Sequence, residues 1–223
     1  MASYYTEKLS AERLKLCYDL APPAIRRYLA AEIEHVRKRI KPGFCVLELG
    51  CGYGRVLKEL APAARNIVGI DRSRDSLHMA TVYTKGLQNI TLACMDAAEL
   101  GFRSGCFDLV FCVQNGISAF HVDQRTLLRS AVSVTKAGGK ALFSSYADEF
   151  WYDRLEWFRI QASNGLVGEI DDAATGNGTI VCKDGFRATT VCPDGFQQLS
   201  QGLGTDITIE IVAGSSVFCE IGV

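Results

Sequence analysis

The sequence predicts an α/β fold in which helices cover both faces of a mainly parallel sheet. Three observations support this prediction: short apolar runs of strand length, segments with helical periodicity, and a regular alternation of the two between residues 45 and 145. Parallel neighbours in a sheet need a long crossover connection, and a helix is the usual one. At 223 residues, the chain has the length of one domain with an elaboration.

The first helical region is predicted over residues 11–40. Apolar residues recur there at helical spacing, and Pro22-Pro23 interrupts the pattern because proline is unfavourable inside a helix. Ser10 is a candidate N-cap, and Lys41-Pro42-Gly43 is expected to end the region.

Five apolar runs are predicted as parallel strands, with helices between them. The predicted strands are 45–49, 66–71, 90–94, 107–113 and 140–145. The helices are predicted over 54–61, from a cap at Ser73 to a stop at Gly86, and over 123–136. Gly138-Gly139 is expected to introduce the fifth strand.

The pattern changes after residue 150. A helix is predicted over 149–161, with a cluster of aromatic residues: Phe150, Trp151, Tyr152, Trp157 and Phe158. Glycine-containing turns at 175–178 and 183–185 separate short β-prone runs, as in hairpins. A short helix over 193–202 and an antiparallel pair, 206–212 with 215–221, complete the chain. The prediction is one domain with an inserted hairpin region.

Composition and charge limit the classes of function. The chain is 48% apolar, with 24 basic against 25 acidic side chains, so neither disorder nor a general attraction to nucleic acid is expected. No apolar segment reaches the roughly 18 residues of a membrane helix and no signal-peptide core is recognised, so we expect a cytoplasmic protein without membrane partners. The nine cysteines are then expected to be thiols. With three histidines and no Cys-x-x-Cys pair, no metal site is expected.

A glycine-rich loop follows the first predicted strand. It reads Glu48-Leu49-Gly50-Cys51-Gly52-Tyr53-Gly54 and precedes a helix. Glycines at such a turn allow the backbone to approach a ligand beside a helix N-terminus. Asp71 ends the second strand, where an acidic side chain can accept hydrogen bonds from ribose hydroxyls. Together these features predict a nucleoside site.

The spacing of the glycines discriminates between nucleoside ligands. A dinucleotide fingerprint, G-x-G-x-x-G/A, would need glycine or alanine where Arg55 stands, and the Gly-Lys-Ser/Thr ending of a P-loop is absent. With its acidic start at Glu48, the loop resembles motif I of class I S-adenosylmethionine-dependent methyltransferases, E/D-x-G-x-G-x-G. A nicotinamide-dependent oxidoreductase stays open as an alternative, because it would use the same Asp71.

The resemblance to this family covers residues 45–145. Cys94-Met95-Asp96-Ala97 is similar to the family segment that holds the adenine, and the strand at 107–110 is similar to the fourth strand, which leads here to Gln114-Asn115. Lys136-Ala137-Gly138-Gly139 resembles the turn before the fifth strand, with alanine in place of proline. The resemblance implies a Rossmann-like seven-stranded sheet of order 3-2-1-4-5-7-6, with the last strand antiparallel and a small β-hairpin insertion after the fifth strand.

The resemblance also implies S-adenosyl-L-methionine as cofactor, with S-adenosyl-L-homocysteine as product. Glu48 and Gln114 would meet the methionine part, which tyrosines of an N-terminal segment also touch in small-molecule members. Asp71 would take the ribose, and Arg72 and Asp96 would lie at the adenine. The full implied set is Tyr5, Tyr18, Glu48, Gly50, Cys51, Gly52, Arg55, Asp71, Arg72, Asp96, Ala97, Gln114 and Asn115.

Several of these residues have other interpretations. Asp71 could be a turn residue, Asp96 could cap the turn that follows it, and Tyr18 could belong to the core. Arg55 could reach the methionine carboxylate or lie in solvent on the first helical turn.

Methyl transfer is an in-line displacement, so the protein supplies mainly orientation and dryness, and it needs a base only for a protonated acceptor. His121, in the loop after the fourth strand, and Tyr146, at the end of the fifth, are the candidate catalytic residues.

A small-molecule N, O or S acceptor is favoured, because the charge is balanced and the segment 114–117 differs from the N/D-P-P-Y/F tetrad of enzymes that methylate base amino groups. The aromatic cluster could form a wall for a cationic amine or pack as core.

The expected layout assigns 1–41 to an N-terminal helical lid, 42–149 to the cofactor-binding core, 150–204 to an acceptor-side insertion and 205–223 to the closing strands. Besides the oxidoreductase, a non-catalytic nucleoside-binding module and a methyltransferase of protein or RNA stay open. Nucleic acid is disfavoured as a partner, and a homodimer stays open.

Overall fold

A sheet of seven strands carries the fold in the computed structural model, which describes residue 4 and residues 8–223. The described residues form these seven strands and two short hairpin strands. In chain order they are β1 Cys45–Leu49, β2 Asn66–Asp71, β3 Ile90–Cys94, β4 Phe107–Cys112, β5 Thr135–Tyr146, β6 Ile180–Val181, β7 Arg187–Ala188, β8 Ile207–Val212 and β9 Ser216–Gly222. The large sheet has the order β3-β2-β1-β4-β5-β9-β8, with β1 to β5 parallel and β9 antiparallel to both β5 and β8. A separate hairpin joins β6 to β7. Counted without the hairpin, the order is 3-2-1-4-5-7-6, and the predicted sheet is confirmed.

Helices cover both faces of this sheet. They are α1 Ala11–Asp19, α2 Pro23–Arg37, α3 Arg55–Leu60, α4 Arg74–Tyr83, α5 Gly116–Ala119, α6 Gln124–Val134, α7 Trp151–Ser163 and α8 Pro193–Leu199. Leu47 and Leu49 of β1 pack in one apolar cluster with α6, whereas Val46 packs in another with α2 and α3. Glu48 alternates onto the face of Val46 and is buried there.

A third apolar cluster joins the N-terminal helices to the segment after β5. Tyr28 of α2 stacks on Tyr146 at 4.8 Å and on Phe150 at 5.5 Å, measured between ring centroids. Trp157 of α7 donates its indole N–H to the Cys17 carbonyl of α1 at 3.0 Å. Helix α7 therefore contacts α1 at Trp157.

The functional edge of the sheet is set by its strand order. β1 pairs with β2 on one side and with β4 on the other, so the order of the strands reverses at β1. Ligands of open α/β sheets bind outside the carboxyl ends of the strands at such a switch point. The glycine loop after β1, Asp71 at the end of β2 and Gln114 after β4 meet at this edge.

The start of the fifth strand and the cap of the first helix differ from the sequence prediction. Residues 136–139 do not form a turn before the fifth strand but a bulge inside it, since Thr135 pairs with Phe107 and Lys140 pairs with Leu109. The predicted capping role of Ser10 is wrong, because its side chain makes no capping hydrogen bond. The Ala11 N–H donates instead to the Ser76 hydroxyl at 3.0 Å.

The predicted cap at Ser73 is confirmed, and it gives a test of the local structure. The Ser73 hydroxyl accepts from the Ser76 N–H at 3.1 Å at the start of α4. Ser73→Ala is expected to lower the free energy of unfolding by about 1 kcal/mol, because this amide loses its acceptor. Urea denaturation followed by circular dichroism measures the change.

Ser10→Ala is the matched control, since Ser10 also precedes a helix but makes no side-chain cap. Its expected loss is at most about 0.5 kcal/mol. Equal losses in the two variants would contradict the assignment of the cap.

Candidate cofactor site

A cavity opens at the carboxyl ends of the parallel strands, bordered by the glycine loop, α1 and α7. Many of the residues that the sequence singled out border it. They are Tyr18, Glu48, Gly50, Cys51, Gly52, Arg55, Asp71, Arg72, Asp96, Ala97, Gln114 and Tyr146. The fold therefore brings together residues that lie far apart in the sequence.

Two predicted site residues lie elsewhere, and a third lies outside the described residues. His121 is exposed at the surface and does not border the cavity, so the structure does not bring it to the position of a catalytic base. Asn115 is buried, but its amide donates to the Thr189 carbonyl and accepts from the Ser145 hydroxyl, both at 2.8 Å. Its side chain thus connects the loop at Thr189 to strand β5 and does not border the cavity. Tyr5 is the residue outside the described part of the chain.

The glycine loop turns tightly between β1 and α3. The N–H groups of Gly50 and Cys51 both donate to the Ile70 carbonyl at 2.9 Å, which ties the loop to the end of β2. Gly50 has a φ of 75°, and a Cβ atom there would lie 2.4 Å from the Phe120 ring. A larger residue would have to displace that ring. The sequence did not single out Phe120, because no spacing rule connects it to the loop.

Asp71 holds the loop from the neighbouring strand. Its Oδ2 accepts from the Gly52 N–H at 2.9 Å, and its Oδ1 accepts from the Ser73 N–H at 2.8 Å. Burial raises the pKa of this carboxyl, although the same hydrogen bonds favour its ionised form. Asp71 is therefore a turn residue that also borders the cavity, so its two interpretations are compatible.

Glu48 is a buried carboxyl whose Oε2 has no hydrogen-bond partner among the described residues. Its side chain is 3% exposed, and burial raises its pKa to about 8. The charge of Asp71 adds to this rise, whereas Arg55 opposes it. Because a buried carboxylate without a partner is unfavourable, the position favours a ligand with a cationic donor.

Arg55 begins α3 and borders the cavity. Its guanidinium carbon lies 4.6 Å from the centre of the Tyr18 ring. Its Nε and Nη2 atoms are buried and lack hydrogen-bond partners among the described residues. Glu48 and Arg55 consequently present a carboxyl group and a guanidinium to one cavity, which suits a ligand with both an ammonium and a carboxylate group.

Gln114, just after β4, adds a further donor without a partner. Its Oε1 accepts from the Tyr18 hydroxyl at 2.8 Å, and no described residue is a partner for its buried Nε2. Its backbone N–H donates to the Glu32 carboxylate at 2.8 Å. Sequence reasoning missed Glu32, although a signal existed, because it lies on the buried stripe of α2, four residues from both Tyr28 and Val36.

The β3 side of the cavity carries an ion pair. Arg72 Nη1 lies 3.3 Å from Asp96 Oδ2, and both side chains are partly exposed. Asp96 Oδ1 also accepts from the Ala98 N–H at 2.9 Å. Asp96 therefore stabilises the turn that follows it and still borders the cavity, next to the buried Ala97.

The β5 side of the cavity is aromatic. Tyr146 ends β5, and Trp157 and Phe158 come from α7; all three are buried. The Tyr18 ring lies 6.1 Å from the Trp157 ring between centroids. The other members of the predicted aromatic cluster do not border the cavity, and Tyr152 is 81% exposed.

The described part of the chain holds neither a metal-binding group of side chains nor a membrane-spanning helix. No group of three or more His, Cys, Asp or Glu side chains there is placed to hold a metal ion. None of the helices described is long and apolar enough to cross a membrane. All nine cysteines are free thiols.

Glu48→Gln is expected to stabilise the ligand-free protein, and increasingly so as the pH rises. The pKa of Glu48 is raised from 4.5 to about 8 in the folded state, so the folded state binds more protons than the unfolded chain between these values. The stability of the wild type therefore falls as the pH rises through this range, and the variant lacks this loss. The melting temperature of the variant should exceed that of the wild type by more at about pH 8 than at about pH 5.

Glu156→Gln, at an exposed position of α7, is the control for a change of charge alone. Its melting difference from the wild type should not grow with pH. A Glu48→Gln variant whose difference from the wild type stays constant with pH would contradict the raised pKa.

A family model described as a methyltransferase domain matches residues 46–139. This range contains the glycine loop, Asp71, Asp96 and Gln114. The match thus falls on the part of the chain that supplies most of the cavity's polar residues.

Curated relatives match over a similar part of the chain. A ubiquinone biosynthesis O-methyltransferase of Coxiella burnetii is 29% identical over 107 residues, which are 47% of this chain and 44% of that protein. A 2-methyl-6-phytyl-1,4-hydroquinone methyltransferase of Synechocystis sp. is 29% identical over 127 residues, 53% of this chain and 39% of that protein. The chain spans less than half the length of these relatives.

Solved structures share the fold over most of the chain. The PH0226 protein of Pyrococcus horikoshii OT3 has a TM-score of 0.66 at 21% identity, over 92% of this chain and 93% of that one. A SAM-dependent methyltransferase of Aquifex aeolicus has a TM-score of 0.62 at 14% identity, over 95% and 98% of the two chains. At these identities the likeness supports the fold alone.

The motif residues meet at one edge of a sheet whose strand order is the one that the resemblance implies. The family match falls on the segment that carries those motifs. Over residues 46–139 the chain is therefore similar to the methyltransferase domain family.

Proposed function

We propose that this protein transfers a methyl group from S-adenosylmethionine to a small-molecule acceptor. The observation that carries the proposal is the pair of ionisable side chains with unpartnered atoms, Glu48 and Arg55, in the cavity that Asp71 and Asp96 also border. The family match over residues 46–139 supports the choice of cofactor.

The centre of the cavity fits the methionine part of the cofactor. Glu48 would hold the ammonium group, and Arg55 and Gln114 would hold the carboxylate through donors that have no other partner among the described residues. The tight turn at Gly50 and Gly52 brings the loop backbone to the border of the cavity. Together, Glu48, Arg55 and Gln114 would match the ammonium and carboxylate groups of the methionine part.

The ends of β2 and β3 fit the nucleoside part. Asp71 would accept from the ribose hydroxyls, because each of its oxygens has a second lone pair besides the one that accepts a backbone N–H. Arg72, Asp96 and Ala97 would border the adenine, as the family resemblance implies. The salt bridge between Arg72 and Asp96 keeps these side chains together.

When bound, S-adenosylmethionine supplies a methyl group on a sulfonium that is its own leaving group. The residues of this chain therefore mainly bind, orient and exclude water. Trp157 and Phe158 exclude water on the β5 side. Tyr146 stays the candidate to orient the acceptor, whose protonated group would donate a hydrogen bond to the Tyr146 hydroxyl oxygen, since Tyr146 borders the cavity and His121 does not.

The acceptor is proposed to bind on the β5 side, next to α1 and α7. The described residues that border this side include Tyr146, Trp157, Phe158 and the uncharged Gln161. Such a wall suits a small apolar or aromatic molecule better than a nucleic acid, which needs basic side chains. The names of the two relatives support a small molecule, because one describes ubiquinone biosynthesis and the other a hydroquinone.

This proposal keeps the predicted layout of the chain. Residues 1–41 form the lid, 42–149 the cofactor core and 205–223 the closing strands. Residues 150–204 shape the acceptor side, a role supported by the contribution of α7 to the cavity.

Asp71→Ala is expected to abolish the binding of S-adenosylhomocysteine, measured by isothermal titration calorimetry. The variant loses the ribose acceptor and also the bond that holds the Gly52 N–H. Asp75→Ala is the matched control, because Asp75 is exposed in the first turn of α4 and does not border the cavity. In the wild type, ligand at 100 times its dissociation constant should raise the stability by about 2.7 kcal/mol, which is visible as a melting shift.

The same assay with NAD separates the open alternatives. A melting shift with NAD and none with S-adenosylhomocysteine would overturn the proposal in favour of an oxidoreductase. A metabolite extract incubated with methyl-labelled cofactor then tests catalysis and identifies the acceptor atom. Binding without any transfer of label would point to a non-catalytic module, and label on protein or RNA would reject a small-molecule acceptor.

A further inference from the structure

The Glu32 carboxylate is fully buried in the middle of α2, although it does not border the cavity. Its Oε2 accepts from the Gln114 backbone N–H at 2.8 Å, and its Oε1 accepts from the Ser216 hydroxyl at 3.0 Å. A single side chain of the N-terminal region therefore contacts the segment after β4 and the start of β9.

The segment after β4 has an unusual backbone. Gln114 and Asn115 have φ values of 57° and 59°, which residues other than glycine rarely adopt. Such conformations persist where surrounding contacts impose them, and they concentrate at functional sites. The Asn115 amide is held by Thr189 and Ser145, whereas the Gln114 N–H is held by Glu32.

The orientation of the Gln114 side chain depends on this backbone. The Tyr18 hydroxyl donates to Oε1 of the Gln114 amide, so Nε2 is left as the unpartnered donor. The Tyr18 ring also lies against the Arg55 guanidinium. Gln114 Nε2 and the Arg55 donors thus belong to one cluster at the cavity.

Stability alone does not explain a carboxylate at position 32. Burial raises the pKa of Glu32 to about 7, which shows that the fold disfavours its charge. Apolar replacements of buried charges are often neutral or stabilising. The position of Glu32 is explained by the donors from which it accepts, among them the Gln114 N–H and the Ser216 hydroxyl, which an apolar side chain would leave unsatisfied.

We propose that Glu32 is a positioning residue of the cofactor site, which acts by holding the Gln114 backbone so that Nε2 meets the carboxylate of the cofactor. This inference rests on the proposed function, since it assigns the methionine part to Gln114 and Arg55. Glu32 itself touches neither the cofactor nor the acceptor in this account.

Glu32→Leu is the test, because it removes the acceptor of the Gln114 N–H, and the binding of two ligands is measured by calorimetry. S-adenosylhomocysteine carries the amino-acid end, whereas 5′-methylthioadenosine has the same nucleoside without it. The variant is expected to bind S-adenosylhomocysteine about tenfold more weakly, the equivalent of about 1.4 kcal/mol. Its affinity for 5′-methylthioadenosine should stay within about twofold of the wild type, because the nucleoside residues are unchanged.

Two further variants separate positioning from general stability. Ser216→Ala removes another partner of Glu32 and leaves the bond to Gln114, so its ligand affinities should match the wild type even where its melting temperature falls. In a Gln114→Ala background, Glu32→Leu should weaken binding no further, because the Gln114 side chain through which Glu32 acts is already absent. Glu32→Asp is the second variant at this position, since it keeps the charge but draws the carboxylate away from Gln114, and the same selective loss is expected.

Equal weakening of both ligands, an equal effect of Ser216→Ala, or full additivity with Gln114→Ala would overturn the inference. These results require a wild type that binds S-adenosylhomocysteine. A wild type that does not bind it would instead refute the proposed function, so the two failures are distinguishable.

Discussion

The burial of a carboxyl group on the central strand is the constraint on which the site depends. Glu48 lies on β1, with parallel neighbours on both sides and helices packed on its face of the sheet, so its side chain is closed off from water. Apolar residues occupy such positions at lower free energy. Arg55 opposes the rise in the pKa of Glu48, yet the described residues show no salt bridge between the two. The protein thus keeps a carboxyl group and a guanidinium available without a salt bridge between them, which suits a zwitterionic ligand end.

Hydrogen bonds within the chain hold the backbone around Glu48 and Arg55. The Gly52 and Ser73 N–H groups both donate to the Asp71 carboxylate, which holds the glycine loop next to the start of α4. Tyr18 and Trp157 then connect α1 to the strand ends and to α7. A site arranged in advance loses less conformational entropy on binding, so more of the interaction energy becomes affinity.

The sheet was predictable because its central strands are buried on both faces and read as continuous apolar runs. The motif residues were predictable because the loops after parallel strands end at one edge. The bulge at 136–139 was not, since its composition is that of a turn and only its pairing with β4 makes it part of a strand. Glu32 was missed because a helical glutamate is usually exposed, and its partners, Gln114 and Ser216, are distant in sequence. The surface position of His121 depends on how α5 and α6 pack, which local sequence does not determine.

The most direct test of this account compares the affinities of the wild-type protein for S-adenosylhomocysteine and 5′-methylthioadenosine by calorimetry at one pH and salt concentration. The ligands share the nucleoside and the thioether, and they differ in the ammonium and carboxylate groups assigned to Glu48, Arg55 and Gln114. We predict that S-adenosylhomocysteine binds about 100-fold more tightly or better, since charged hydrogen bonds contribute roughly 1.5–3 kcal/mol each. Affinities within about threefold of each other, a difference of less than about 0.7 kcal/mol, would show that the buried charges do not serve the ligand and would contradict the account.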